Sequence, residues 1–545
     1  MRRLSAVCVL LLAVIAGAGM GLAMAEDPGQ QEVGVVHACA ADSPENFTAP
    51  VTGNETIGWV DGYWYDQPIN LTIDDGLNET ELDRLSARTA ARIEALRCLS
   101  FDRVPDVEIV DRETFANETE RQFAAVSEND RRFDDAQFGT MLLIGENATE
   151  VRQESLSGGV GGYYDYVEER IVVIAEDPDH LVIDEPILAH ELGHALQDQH
   201  FDLERYNRST KDLDRGKLGL IEGDVHRIEH TYLEHCDAGT WTEPCVSQLP
   251  STNPSASDPP SWGLWVMQYQ PYSDGPAFVE HVYEQSGWEG VNALYDDPPR
   301  SAAETIQPDA DPSIDPETLT VDHPTNASWE LLETNRSVDH NVIGPAGIVG
   351  MLIDPVLEVH PRPITGAPIS ADAFITNDPT DPYEYHQPVV EGWEGDRLYV
   401  YDDGSATATV WKTTWNDQYN QSQFRNAYIW LAEHRGGERV PGKPFTWTFD
   451  NHSEFDGAVT IYPDEDRLWI ISGPTVASLD NVTPHVQPLT TTELASELSL
   501  EGIAGDQNET IRLNDDELPG FGPVMAIIAV VMAALAARGR RRRGA

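Results

Sequence analysis

The stretch "ILAHELGHALQDQHFDL", from Ile187 to Leu203, constrains this chain more than any other. Asp184 and Pro186 just ahead of it open a helix near Asp184, because a proline in the first turn gives up no hydrogen bond. On that helix His190 and His194 lie one turn apart on one face, where both rings can reach a single ion. Glu191 stands between them. Two ligands do not hold an ion, so the fold has to bring a third one against this helix.

Two segments offer it. His200 follows His194 by six residues, but its return to the ion needs a sharp turn at Gln197, where a positive φ suits glycine and not glutamine. The other segment begins after Asp214. Leu218, Ile221, Val225, Ile228 and Tyr232 recur at helical spacing and predict a second helix. Glu222, His226, Glu229 and His230 form one polar stripe on it. Such a stripe also describes a solvated face, but a helix packed beside "HELGH" would bring Glu222 to the metal, with Gly223 permitting close approach. Two neutral imidazoles and one carboxylate suit zinc and leave a position for water. Glu191 is then placed to act as general base. Asp224 or Asp198 would orient a ligand histidine from behind, Asp224 being preferred. The strand around Gly161–Tyr164 offers an edge to an extended polypeptide, and Tyr163 or Tyr164 a hydroxyl for the oxyanion.

The chain has 545 residues, enough for two to four domains. Its 93 acidic and 35 basic residues give a formal charge of -58, a field that repels nucleic acid and excludes it as a partner. Lys211, Lys217, Lys412 and Lys443 are the only lysines. Disorder is the simplest consequence of such acidity, but tryptophans and apolar runs occur throughout, so most of the chain should fold. The surface instead fits concentrated salt, where screening weakens self-repulsion.

Residues 1–25 read as a Sec-type signal peptide, with a basic start, an apolar stretch and small residues at Ala23 and Ala25. Four cysteines remain after its removal. Cys236–Cys245 pair across a proline-containing turn, leaving Cys39–Cys98. Thirteen Asn-X-Ser/Thr sequons fit a glycosylated exterior. At the other end Pro519-Gly520-Phe521 precedes the apolar run Pro523–Ala537 and five arginines. As a helix that run is roughly 22 Å long, short of the roughly 30 Å of a bilayer core. The arginines favour a cytoplasmic C-terminus and leave the main chain outside.

Between the ends, 26–56 reads as a polar linker and 57–310 as the domain carrying "HELGH" and "EGD". Residues 311–480 form a tryptophan-rich part of the same or a second domain, and 481–518 an acidic stalk. Helices are expected at "ETELDRLSARTAARIEAL" and "SQFRNAYIWLAEH". Strand-like runs are "VEIVD", "GTMLLIG", and "GGYYDYVEERIVVIAED" with its turn near Val167-Glu168-Glu169. "DRLYVYDD" with "ATATVWKTTW", and "GAVTIYPDEDRLWIISG", read as further strand pairs.

Taken in order, "GGYY", "RIVVIAED", "AHELGHALQDQHFDL", "IEGDV", "PYSDGPAFVEHVYEQSGWEGVNALYDDPPRSAAETIQPD" and "EGWEGDRLYVY" resemble a family of secreted and surface gluzincin-like proteins. The likeness runs from about Thr140 to Ala432. The resemblance implies an α+β zincin-like fold with an active-site helix pair and strand-rich flanks, and the ligand set His190, His194 and Glu222. It implies a zinc metallopeptidase acting on polypeptide. Where members often have histidine-proline, this chain has Gln307-Pro308. The C-terminal trio in 519–545 resembles the PGF-CTERM sorting signal of haloarchaeal surface proteins, which implies processing by an archaeosortase and a lipid anchor on the outer face of the membrane. An ordinary single-span anchor would give the same location. The rival class is a non-catalytic envelope protein on the same scaffold.

Overall fold

In the computed structural model, residues 39–482 are described, apart from 74, 176, 247–257, 310–318, 320–327, 377, 379, 451 and 452. The expected signal peptide, the stalk beyond residue 482 and the Pro519-Gly520-Phe521 signal lie outside the described residues. No helix among the described residues is long and apolar enough to cross a membrane.

The chain is α+β, with helices and sheets largely segregated. The first long helix, Glu79–Arg97, starts on a capping box in which the Asn78 side chain takes the Glu81 N–H and Glu81 reaches back. Leu85 and Ile93 are fully buried on it as the apolar spacing requires, but so are Arg88, Arg92 and Arg97. A three-stranded sheet follows, with Arg170–Ala175 in the middle. It pairs in parallel with Val107–Asp111 and antiparallel with Gly162–Asp165, which is therefore an edge strand. "GTMLLIG" is not a strand. Gly139 and Thr140 close the helix Glu128–Thr140, and Met141–Ile144 make a buried turn. The apolar run carries no period that separates a strand from a packed turn.

The tryptophan-rich part forms an eight-stranded antiparallel sheet. Its order is Glu438–Arg439, Thr446–Phe449, Gly457–Asp464, Arg467–Gly473, Thr407–Trp415 and Trp393–Asp402, with Glu330–Leu331 and His340–Asn341 both pairing onto the last. The helix Gln418–His434 packs on it, where Phe424 stacks on Trp415 at 5.2 Å. One apolar cluster runs from Phe133 through Ile144, Val266 and Ile353 to Trp411 and Ile470, so this sheet shares its core with the preceding part of the chain.

At the centre lies Gly344–Val359, a strongly apolar helix that is buried nearly all round. Asp396 of the sheet caps its start. The carboxylate accepts the N–H groups of Ile343 and Gly344 at 2.8 Å each, and the indoles of Trp411 and Trp393 at 3.1 and 3.2 Å. Four donors satisfy a charge that would otherwise be costly to bury.

Candidate metal centre

Three helices build the site. Glu185–Phe201 carries the histidines, Lys211–Asp237 carries Glu222, and Trp262–Leu294, broken at Gly287 (φ 60), packs against the second. Glu185 anchors the first turn of the histidine helix. It accepts Arg92 at 2.6 Å, Arg88 at 3.3 Å, the Tyr232 hydroxyl at 2.5 Å and the Val246 N–H at 2.8 Å. Gly193, inside the "HELGH" motif, faces Val225, where a methyl would press on both γ-carbons. Gly223 faces the Gly275 carbonyl of the Trp262–Leu294 helix, where a Cβ would collide with backbone. The glycine expected to admit the histidine helix thus serves the other neighbour.

His190 Nε2 and His194 Nε2 converge at 3.1 Å, and Glu222 Oε2 lies 3.4 and 3.6 Å from them. All three side chains are buried, and neither Glu222 oxygen completes an ordinary hydrogen bond. Ligands held about 2.0–2.1 Å from one tetrahedral ion are separated by about 3.3 Å. The three donor atoms therefore fit one such ion. Burial disfavours the charged form of His190, yet the bonds to Glu222 and Glu229 carry its pKa well above the ordinary histidine value. A cation would replace that proton.

The groups behind the ligands differ from expectation. His190 Nδ1 meets Glu229 Oε2 at 3.0 Å, and His194 Nδ1 meets Gln197 Oε1 at 3.0 Å, while Gln197 donates to the Ile221 carbonyl at 2.9 Å. Asp224 touches neither ring. It lies about 200° round the helix from Glu222, bound to Arg97 Nε at 2.8 Å and to the Tyr295 hydroxyl at 2.7 Å. Asp198 accepts the Tyr164 hydroxyl at 3.0 Å and caps Leu203. His200 is exposed and bonds the Ser100 carbonyl at 2.8 Å, because the helix runs on to Phe201 with no turn at Gln197.

Glu191 is buried, and no side chain hydrogen-bonds either of its oxygens. Burial, opposed by both histidines and the Tyr164 backbone N–H, pushes its carboxyl up to about 7. The phenols of Tyr163 and Tyr164 are engaged elsewhere, the first ring packing on Phe115 and the second bonded to Asp198. The phenol that does face the ligands is Tyr272. Its ring lies 5.9 Å from His226, and burial together with the Glu222 carboxylate holds its pKa well above the ordinary value. It comes from a helix fifty residues downstream of Glu222, which no local spacing announces. Two disulfides brace the site's surroundings, Cys39–Cys98 after the Glu79–Arg97 helix and Cys236–Cys245 at the end of the Glu222 helix.

A family model described as a domain of unknown function, DUF8575, matches residues 330–483. That span coincides with the eight-stranded sheet and does not include the three donor residues. No curated protein and no solved structure matches the chain.

Proposed function

We propose that this protein is a cell-surface zinc metallopeptidase of the gluzincin-like kind, with a zincin-like fold. The observation that carries the reading is a buried carboxylate with no side-chain hydrogen-bond partner, Glu191, beside three donor atoms spaced for one ion. A structural metal site does not need such a base. Two imidazoles and a carboxylate favour zinc, which when bound would supply Lewis-acid activation of water and of the scissile carbonyl. His190, His194 and Glu222 would hold it, and Glu229 and Gln197 fix the ring orientations from the far nitrogens. Glu191 takes a proton from the attacking water at a carboxylate oxygen and returns it to the departing amine nitrogen. The edge strand Gly162–Asp165 pairs with an extended substrate along its free side. Tyr272, with its proton held firmly, donates to developing negative charge near Glu222. On this reading the chemistry works on the outer face of the membrane, which the expected signal peptide and C-terminal anchor support and with which two disulfides are compatible.

Glu191→Gln tests the reading. The variant should bind zinc as the wild type does and hydrolyse an unfolded protein in concentrated salt about 10²–10⁴-fold more slowly. The wild type should be silenced by a chelator and restored by zinc. A folded, zinc-loaded wild type that cuts no denatured protein would replace this reading with the non-catalytic scaffold.

A further inference from the structure

On the Glu222 helix, Lys211, Arg215 and Glu222 fall within about 40° of one another at 100° per residue, so they share one stripe. Arg215 lies about 10 Å from Glu222 along the axis at 1.5 Å per residue. Its neighbour across the groove is the Trp262–Leu294 helix, on which Leu264, Gln268 and Tyr272 are successive residues of one face. The two faces enclose a cavity of about 70 Å³, lined by Arg152, Lys211, Arg215, Leu264 and Gln268 and closed by the first turn of Gly344–Val359. That is room for several water-sized groups. The cavity and the metal centre thus lie at successive turns of the same two helices, and Tyr272, beside Glu222, also feels the charge of Arg215.

Three cations around one cavity are unexpected in a chain with a formal charge of -58 and four lysines. Other cations have anionic or carbonyl partners: Lys443 pairs with Asp480, and Lys217 donates to the Pro298 carbonyl. Arg152 is paired with Asp134. Lys211 and Arg215 have no ion pair among the described residues, and the ammonium of Lys211 rests 4.9 Å from the Phe138 ring. Burial and Arg152, against the attraction of Asp134, lower the Lys211 pKa to about 7. Unmatched cations in a partly enclosed cavity are costly unless an anion completes them.

We infer that this cavity receives a carboxylate of the substrate, so that the enzyme selects polypeptides bearing an acidic group about three residues from the bond it cuts. The spacing follows from the roughly 10 Å between Arg215 and Glu222 and the roughly 3.3–3.6 Å that each extended residue covers. The carboxylate comes either from an acidic side chain or from the free C-terminus. The inference rests on the peptidase reading for its cleavage step, but not for its binding step.

Three dansyl-labelled neutral octapeptides separate the possibilities: one with a free C-terminal carboxylate, one amidated, and one amidated with a single glutamate. Their binding to the chelator-treated, metal-free full chain is measured by fluorescence at fixed salt. At least one carboxylate peptide should bind tenfold or more tightly than the neutral one, and the peptide that does so identifies the source. Arg215→Met and Lys211→Met should abolish the preference, Arg215→Lys should restore part of it, and the unfolding midpoint reports whether each variant folds. Equal binding of all three peptides by the wild type overturns the inference without any variant, as does a preference that survives both methionine substitutions. With zinc restored, equal kcat/KM on neutral and acidic peptides overturns it while leaving the peptidase reading intact. A carboxylate preference in a chain that cuts none of the peptides supports the cavity and sinks the peptidase.

Discussion

Asp224 and Glu222 stand two residues apart on one helix, both fully buried, and the protein treats them in opposite ways. Asp224 receives Arg97 through two nitrogens and the Tyr295 hydroxyl, so its charge is completed from within the chain. Glu222 receives two imidazole nitrogens at 3.4 and 3.6 Å and no ordinary hydrogen bond. The same division holds on the histidine helix, where Glu185 is saturated by arginine, tyrosine and backbone donors while Glu191 has no side-chain donor. A buried carboxylate that is fully matched is architecture. One that is left open is reserved for something that arrives.

The largest effect expected from this contrast is on the matched side. Arg97→Met strands Asp224 as an unpaired buried charge and should cost about 3–5 kcal/mol of folding stability, read from denaturant unfolding. A loss below about 1 kcal/mol, the range of an exposed pair, would mean that Asp224 is hydrated and that the contrast is not real. Next comes the support behind the open side. Glu229→Gln keeps the shape but weakens the hold on His190, and zinc affinity measured by chelator competition should fall about 10–100-fold. Unchanged affinity would show that the 3.0 Å contact does not position the ring. A smaller effect belongs to Glu222 in metal-free protein. Glu222→Gln should remove most of the bound zinc yet cost the metal-free protein less than Arg97→Met, because Glu229 still pairs with His190 when Glu222 is neutral. A metal-free loss as large as that of Arg97→Met would recast Glu222 as a structural ion partner of the histidines. The smallest effect is that of His200→Ala, which should leave zinc content unchanged, since that ring is exposed and turned to Ser100. Loss of zinc there would return His200 to the ligand set.

Much of this was readable from spacing alone, and the failures have a common origin. His190 and His194 announce themselves by lying one turn apart, and the stripe Glu222, His226 and Glu229 was visible by the same arithmetic. The same arithmetic could have chosen Glu229 over Asp224 to orient His190, because Glu229 shares the Glu222 stripe while Asp224 lies about 200° away; nearness in sequence misled. Arg88 and Arg92 share one face at helical spacing and Arg97 stands on the opposite one, all three residue types that solvent usually takes, yet each is buried on a partner from a distant segment. Tyr272 and the Gly344–Val359 helix escaped for different reasons. The first depends on a contact far along the chain, and the second is apolar but for Asp354 and Glu358, which pair with Arg435. Periodicity reports which residues share a face, but not what that face meets.

The glycine contacts of the Glu222 helix have a mechanical consequence. Gly193 brings that helix against one neighbour at Val225, and Gly223 brings it against the other at the Gly275 carbonyl. The helix is therefore wedged, with no side-chain cushion to absorb a displacement on the Gly275 side. A single methyl at Gly223 would push the whole rod away from Gly275 and towards the two imidazoles. The jaw opening of this caliper is set by how closely polypeptide backbones can approach, a dimension that rotamer changes cannot adjust.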